Sequence, residues 1–240
     1  MAGHSHWAGI KHKKGRQDKE RAKLFSKLSR EITVAAKLGS SDPESNPRLR
    51  SAIQLAKGSN MPKDNIDRAI KKSNVGTTEN YTSLRYEGFG PHNVAFIIET
   101  LTDNKNRSAS NIRKILQKNG GRLGENGSAS HLFKNCGVIK IKKTSIKEND
   151  ALDIALGAGA EDIQTDNNYH EIYCKKEDFY KVKTELEKKI QDIIYADIEW
   201  RPLNFINLKQ NQIDDIANIV FELSEDDDVQ KTFLNCKVKS

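Results

Sequence analysis

Basic side chains crowd the beginning of this 240-residue chain, which opens MAGHSHWAGIKHKKGRQDKERAKLF. Lysine and arginine neutralise phosphates and release condensed counterions, so such a segment is typical of nucleic-acid binding. Trp7 adds a flat ring that can stack on an exposed base. The alternative is that Trp7 and Ile10 fasten the segment to a helical domain while its charges face water. We favour nucleic-acid contact by Trp7, Lys11, Lys13, Lys14, Arg16, Lys19, Arg21, Lys23, Lys27 and Arg30.

The net charge of +7 is distributed unevenly along the chain. Residues 1–80 contain 17 Lys and Arg against 8 Asp and Glu, a balance of +9. Residues 81–240 contain 23 against 25, a balance of −2. An asymmetry of this kind indicates a polyanionic partner that meets one end of the molecule, and nucleic acid is the leading candidate.

Helical patterns fill the first third of the chain. From residue 18 to 38 apolar residues recur every three or four positions, and Gly39 then supplies a stop. Asn46 followed by Pro47 is typical of a helix start, because asparagine caps the first turn and proline fits the first helical position. A third helix begins near Pro62. These later helices add Arg48, Arg50, Lys63, Arg68, Lys71 and Lys72 to the candidate nucleic-acid site.

Strand-like patterns follow the helices. The segments YEGFG and VAFIIETL predict two strands joined by the turn GPHN, with a helix over 106–118 after them. Residues 137–202 are predicted to form strand, helix, strand, strand, helix and strand, which is the ferredoxin-like order. The segment FINL, a helix over 210–223 and the segment VQKTFLNCKV are expected to complete the earlier sheet.

These patterns together predict an α+β multidomain protein, in keeping with a length that allows roughly one to three domains. An N-terminal three-helix bundle precedes two α+β domains, of which one is ferredoxin-like and inserted in the other. The predicted domains are a basic arm and helical domain at 1–79, a discontinuous α+β domain at 80–136 and 204–240, and the inserted domain at 137–203.

Cysteine usage and hydropathy indicate the compartment. Cys136, Cys174 and Cys236 are widely separated and form no CxxC pair, which argues against a disulfide framework and against a zinc finger. No apolar run approaches the roughly 20 residues that cross a bilayer, and the N-terminus lacks the pattern of a secretory signal. We therefore expect a cytoplasmic protein without a membrane partner.

No segment has the pattern of a catalytic, cofactor or metal site, so we expect a non-enzymatic protein without a small-molecule substrate. His4, His6 and His12 lack a cysteine or carboxylate at ligand spacing and are interpreted as surface residues. The segment GGRLGENGS lacks the ending of a P-loop and predicts tight turns, and the acidic run 225–228 predicts a solvated turn. The remaining histidines stay open as members of a site assembled from distant positions: His92, His131 and His170.

Several long segments resemble the YebC/PmpR family, in the same order along the chain. They are MAGHSHWAGIKHKK, NPRLRSAI, NMPKDNIDRAIKK, YEGFGP, LTDNKNR, GGRLGENGS and EDDDVQ. The chain departs from the family pattern at His6, where lysine is usual, at Gly9, where asparagine is common, and at His92-Asn93, where a glycine pair often follows GP. The first change removes a cation from the arm, and the last alters the shape of a turn.

The resemblance implies a helical bundle followed by two α+β domains, and a role in gene expression without catalysis. Members of the family are described as probable transcriptional regulators that bind DNA, which is our first hypothesis. Others, including a mitochondrial translational activator, act on ribosomes, so a translation factor that binds ribosomal RNA is the alternative. The oligomeric state and the target sequence stay open.

Overall fold

The computed structural model describes residues 14–73, 81–190 and 192–238, with side chains from residue 21 onward. Its first elements are the helices α1 (Lys14–Leu38), α2 (Pro47–Gly58) and α3 (Lys63–Lys72). Apolar residues spaced three and four apart bury one side of each helix in a common core. The core includes Leu28, Ile32, Leu49, Ile53, Met61 and Ile66.

The start of α2 confirms the predicted cap. Oδ1 of Asn46 accepts a hydrogen bond from the N–H of Leu49 at 3.0 Å, and Pro47 is the first helical residue. Nδ2 of Asn46 donates to the carbonyl oxygens of Ala35 and Ser40 at 2.8 and 2.7 Å. Buried Asn46 therefore joins the end of α1 to the start of α2.

The rest of the chain alternates short strands with helices, and the mixed α+β class is confirmed. In chain order the elements are β1 (Thr82–Phe89), β2 (Ala95–Thr102), α4 (Lys105–Lys118), β3 (Arg122–Leu123), β4 (Phe133–Lys142), α5 (Glu148–Ala158), β5 (Asp162–Thr165), β6 (Tyr169–Lys175), α6 (Phe179–Glu187), β7 (Ile193–Pro202), β8 (Ile206–Leu208), α7 (Gln210–Glu225), β9 (Val229–Leu234) and β10 (Cys236–Val238).

One four-stranded sheet has the order β3-β1-β2-β9, and its strands pair antiparallel. The chain returns to this sheet at β9, so residues 229–234 complete it as predicted. The segment FINL, which is also expected to join this sheet, instead forms β8 in a separate sheet. Phe96 and Ile98 of β2 point toward a core that also contains Ile112 of α4 and Ile216 of α7. Both helices therefore cover the same face of the sheet.

The segment VQKTFLNCKV forms two strands, although its pattern predicts one. The first strand ends before buried Asn235, whose Oδ1 accepts a hydrogen bond from the N–H of Ala95 at 2.8 Å. The carbonyl oxygen of Asn235 accepts from the N–H of Ile206 at 2.7 Å. Beyond this point β10 pairs parallel with β8 in a separate two-stranded sheet.

The predicted β-α-β-β-α-β order of residues 137–202 is confirmed. The sheet has the order β5-β6-β4-β7, in which β6 pairs antiparallel with both β4 and β5. Ile139 and Ile172 of this sheet pack with Ala155 of α5 and Val182 of α6. The arrangement is ferredoxin-like because the two helices cover one face of an antiparallel sheet.

The turn between β1 and β2 has an unusual backbone. His92 and Asn93 both have φ of 60°, a left-handed conformation that glycine adopts most easily. The His92 ring contacts α7, where Nε2 lies 3.0 Å from Oδ2 of Asp215 and Nδ1 lies 3.2 Å from Nε2 of Gln212. The departure of this turn from the family pattern therefore places two residues other than glycine in the left-handed region.

Contacts divide the chain into two compact units. Within the described residues, one unit is 135–201 and the other is 14–134 with 202–238. The helical bundle and the sheet that contains β9 belong to the same unit. The finer boundaries at 79/80, 136/137 and 203/204 remain a prediction.

Candidate functional site

The basic residues of α1 do not all face solvent. Lys23, Lys27 and Arg30 follow one another at intervals of four and three, so they share one face of the helix. Nζ of Lys23 donates to the carbonyl oxygen of Glu225 at 2.7 Å, and Nζ of Lys27 donates to that of Ser224 at 3.0 Å. These carbonyls end α7, where cations are favourable. The face therefore docks α1 on the end of α7.

Asp228 lies at the centre of this docking contact. Its side chain is only 4% exposed and accepts hydrogen bonds from Oγ of Ser108 at 2.7 Å and Oγ1 of Thr102 at 3.0 Å. Nη2 of Arg107 approaches both carboxylate oxygens at 2.9 Å, and Nη1 of Arg30 lies 3.3 Å from Oδ1. The acidic run 225–228 is thus not simply a solvated turn, because its last residue binds α1, β2 and α4 together.

The hydrogen bonds decide the ionisation of Asp228. Burial acts to raise the pKa of its carboxyl group, but donors from Ser108, Arg107 and Thr102 and the charge of Arg107 outweigh burial and lower that pKa. Hydrogen bonds to Asp228 and Asp103 in turn raise the pKa of Arg107. The group is therefore an anion that holds its partners in fixed positions.

An open cleft of about 480 Å³ adjoins this network. The two arginines on its wall already bind carboxylates, and the acidic groups outnumber them. The cleft is therefore a poor site for phosphate. Its lining residues are Arg30, Tyr81, Asp103, Arg107, Asn111, Glu225, Asp226, Asp227 and Asp228.

Lys27 gives the docking contact a pH dependence. Burial and the neighbouring charge of Lys23 lower the pKa of Lys27 from 10.5 to about 8. Because the unfolded chain binds this proton more tightly, protein stability is expected to rise between about pH 8 and 10.5. Lys27→Met should lose this increment, which urea unfolding of both proteins at pH 7, 8, 9 and 10 will measure. Equal pH dependence of the wild type and the variant would contradict the assignment, and exposed Lys57→Met serves as the control.

Other predicted site residues also have partners inside the protein. Nε of Arg48 lies 2.7 Å from Oε1 of Glu31, and Nη2 of Arg50 donates to the carbonyl oxygen of Glu44 at 3.2 Å. Nη2 of exposed Arg21 donates to the carbonyl oxygen of Asn60 at 3.3 Å. Their contact with nucleic acid remains a prediction, in which phosphate would have to compete with these partners.

Four predicted site residues of α3 stand apart from this pattern. Lys63, Arg68, Lys71 and Lys72 are exposed, and none of them forms an ion pair with another residue that the structure describes. Buried Ile66 and Ala69 hold the opposite side of the helix in the bundle core. The cations of α3 are therefore available to a partner. The residues Trp7, Lys11 and Lys13 and the side chains of Lys14, Arg16 and Lys19 lie outside the described part.

The segment GGRLGENGS, for which the sequence predicts only tight turns, has a partner inside the protein in Glu87 of β1. Oε2 of buried Glu87 accepts hydrogen bonds from the N–H groups of Ala129 and Ser130 at 2.7 and 2.8 Å. The N–H of Gly124 donates to the carbonyl oxygen of Glu87 at 2.8 Å. Burial acts to raise the pKa of the Glu87 carboxyl group, but backbone donors at Ala129, Ser130 and Gly127 and the charge of Arg85 outweigh burial and lower that pKa. The loop is thus tied to β1.

Residues 14–73, 81–190 and 192–238 contain neither a candidate metal site nor a candidate membrane span. No group of three His, Cys, Asp or Glu side chains there is arranged to hold a metal ion. Of the three histidines left open, His170 is buried, with Nε2 3.1 Å from the carbonyl oxygen of Ile146. No helix in those ranges has the length and apolar character needed to span a bilayer.

The fold and the exposed cations of α3 define the class: an α+β protein that combines a basic helical bundle with a ferredoxin-like unit. Comparisons with known proteins identify the family. A model of the TACO1/YebC N-terminal domain matches residues 5–76, and one of the TACO1/YebC second and third domain matches residues 81–236. The chain belongs to the TACO1/YebC family.

Two relatives match over nearly the whole chain. A protein of Pelagibacter ubique (strain HTCC1062), named a probable transcriptional regulatory protein, is 52% identical over 240 residues and covers 100% of both chains. The crystal structure of a conserved hypothetical protein from Aquifex aeolicus is 42% identical, with a TM-score of 0.82 and 98% of each chain covered. The resemblance to the YebC/PmpR family is confirmed.

Proposed function

We propose that this protein is a DNA-binding regulator of transcription in the cytoplasm, which acts by binding and not by catalysis. The observation that carries the proposal is the set of exposed cations on α3, which lies within the basic first third of the chain. The name of the Pelagibacter relative supports the regulatory part of it. DNA is the polyanion that a transcriptional regulator meets.

The chemistry of α3 favours contacts with the DNA backbone. Its solvent side carries Lys63, Arg68, Lys71 and Lys72 together with two acidic residues, Asp64 and Asp67. Lysine and arginine neutralise phosphates regardless of sequence, whereas base recognition requires side chains presented to base edges in a groove. We therefore assign α3 to affinity and to orientation on the duplex.

The docking of α1 divides its cations into two groups. Lys23, Lys27 and Arg30 are used to fix α1 on the α+β part of the same unit. Binding energy for DNA must then come from cations outside that face. This division predicts that removing cations from α3 affects DNA binding without undoing the fold, because they take no part in packing.

The test measures duplex binding at several salt concentrations. The variant with Lys63, Arg68, Lys71 and Lys72 changed to Ala should bind more weakly, and the slope of log K against log salt should fall by about 0.9 for each lost phosphate contact. The arm variant with Lys11, Lys13, Lys14 and Arg16 changed to Ala should do the same. A matched control removes four exposed cations of the ferredoxin-like unit: Lys147, Lys176, Lys181 and Lys189.

Two outcomes would contradict the proposal. Unchanged salt slopes would show that the cations of α3 and of the arm face solvent and do not contact phosphate. A wild-type protein that binds ribosomal RNA or ribosomes but not duplex DNA at physiological salt would replace the DNA proposal with the translation-factor alternative. A regulatory target should bind at least ~10³-fold more tightly than random duplex.

A further inference from the structure

We propose that α4 is a second DNA-binding element, which contacts the phosphate backbone of the duplex; this inference rests on the proposed DNA binding. The helix reads KNRSASNIRKILQK, with five cations and no acidic residue. Its neighbour α7 reads QNQIDDIANIVFELSE and contains no Lys or Arg. Cations of one helix that have no acidic partner attract a polyanion to the part of the surface where they lie.

The structure separates the cations of α4 that are used inside the protein from those that are not. Arg107 binds Asp103 and Asp228, and Nζ of Lys118 lies 2.8 Å from Oε1 of Glu222. The three others are exposed and form no ion pair with any residue of the described ranges. They are Lys105, Arg113 and Lys114.

Arg113 and Lys114 lie on the exposed side of α4, among side chains that can bind a polyanion. Buried Ser108, Ile112 and Leu116 mark the inner side of α4. The outer side presents uncharged hydrogen-bonding groups on either side of the two cations, over about 17 Å of helix. Such groups bind phosphate and sugar oxygens and repel none of them. They are Asn106, Ser110 and Gln117, all exposed.

The position of α4 is fixed before any partner binds. Asn104 caps its first turn by accepting from the N–H of Arg107 at 3.1 Å, and Ser108 donates to Asp228. Ile112 and Leu116 are fully buried in the core beneath it. A rigid element loses little conformational entropy on binding, so its contacts contribute more to affinity than those of a mobile segment.

The test compares two triple variants with the same change in net charge. Lys105, Arg113 and Lys114 changed to Gln should weaken duplex DNA binding and reduce the salt slope by up to about 2.7, at about 0.9 for each contact. Lys176, Lys181 and Lys189 changed to Gln, in the ferredoxin-like unit, should leave both quantities near their wild-type values. Equal losses in the two variants would show a net-charge effect and overturn the inference.

A photo-crosslinking residue supplies a readout that does not depend on charge. Placed at exposed Ser110 of α4 it should capture duplex DNA, whereas at exposed Thr184 of α6 it should not. One result would overturn the role of α4 and leave the proposed function intact. In that result Ser110 captures no DNA and the α4 variant binds as tightly as the wild type, while the α3 variant binds more weakly. Absence of DNA binding by the wild-type protein would contradict both the role of α4 and the proposed function. Capture of RNA alone would overturn the assignment to DNA.

Discussion

Changing Asp228 to Ala is expected to lower the free energy of unfolding by about 3 kcal/mol, the low end of the range for removing one partner of a buried ion pair, because Arg107 is 46% exposed. The carboxylate is only 4% exposed and binds Arg30, Arg107, Thr102 and Ser108. Its loss leaves the buried hydroxyl groups of Thr102 and Ser108 without this acceptor, and it removes an anion from the guanidinium groups of Arg30 and Arg107. Equilibrium unfolding in urea will measure the effect.

A neighbouring residue provides the control for this experiment. Asp227 is exposed, and it is its carbonyl oxygen that contacts Arg30, so Asp227→Ala should change stability by less than about 0.5 kcal/mol. Similar losses for the two variants would show that Asp228 has no special role. Because the pKa of Asp228 is lowered on folding, its contribution is present above the unfolded value and is lost as the pH falls through the folded one.

Changing Glu87 to Ala is expected to cost about 2–4 kcal/mol, since one buried and one partly buried backbone N–H group would lose their acceptor. The side chain of Glu87 is fully buried and accepts from Ala129 and Ser130. The loop that contains these N–H groups should also exchange its amide protons faster. Urea unfolding and hydrogen exchange measured on the same variant will test both effects.

Glu125 on the same loop is the matched control for Glu87. It is exposed, and Glu125→Ala should leave stability and exchange nearly unchanged. Normal exchange at Ala129 and Ser130 in the Glu87 variant would show that the loop is held by other contacts. The lowered pKa of Glu87 has the same sign as that of Asp228, so acid should weaken this anchor as the carboxyl group becomes protonated.

The sequence by itself determined the local elements and the family. Apolar spacing gave α1 and the strands β1 and β2, and Asn46 with Pro47 marked the start of α2. These features are readable because periodicity and helix caps depend on residues only a few positions apart. The concentration of positive charge in residues 1–80 is likewise a property of the sequence alone.

Only the tertiary structure decided which charges are used in packing. Lys23 contacts Glu225 and Arg30 contacts Asp228, across 202 and 198 residues, and no local pattern reports such pairs. The acidic run 225–228 is predicted to be a solvated turn because all four of its residues are acidic, yet Asp228 is buried among groups from β2 and α4. The parallel pairing of β8 with β10 could not be predicted either, because the two strands lie far apart in the sequence. When distant segments dock, a charged side chain at the contact loses its hydration and gains partners in fixed positions. The tertiary structure therefore decides which ionic side chains serve packing and which stay exposed.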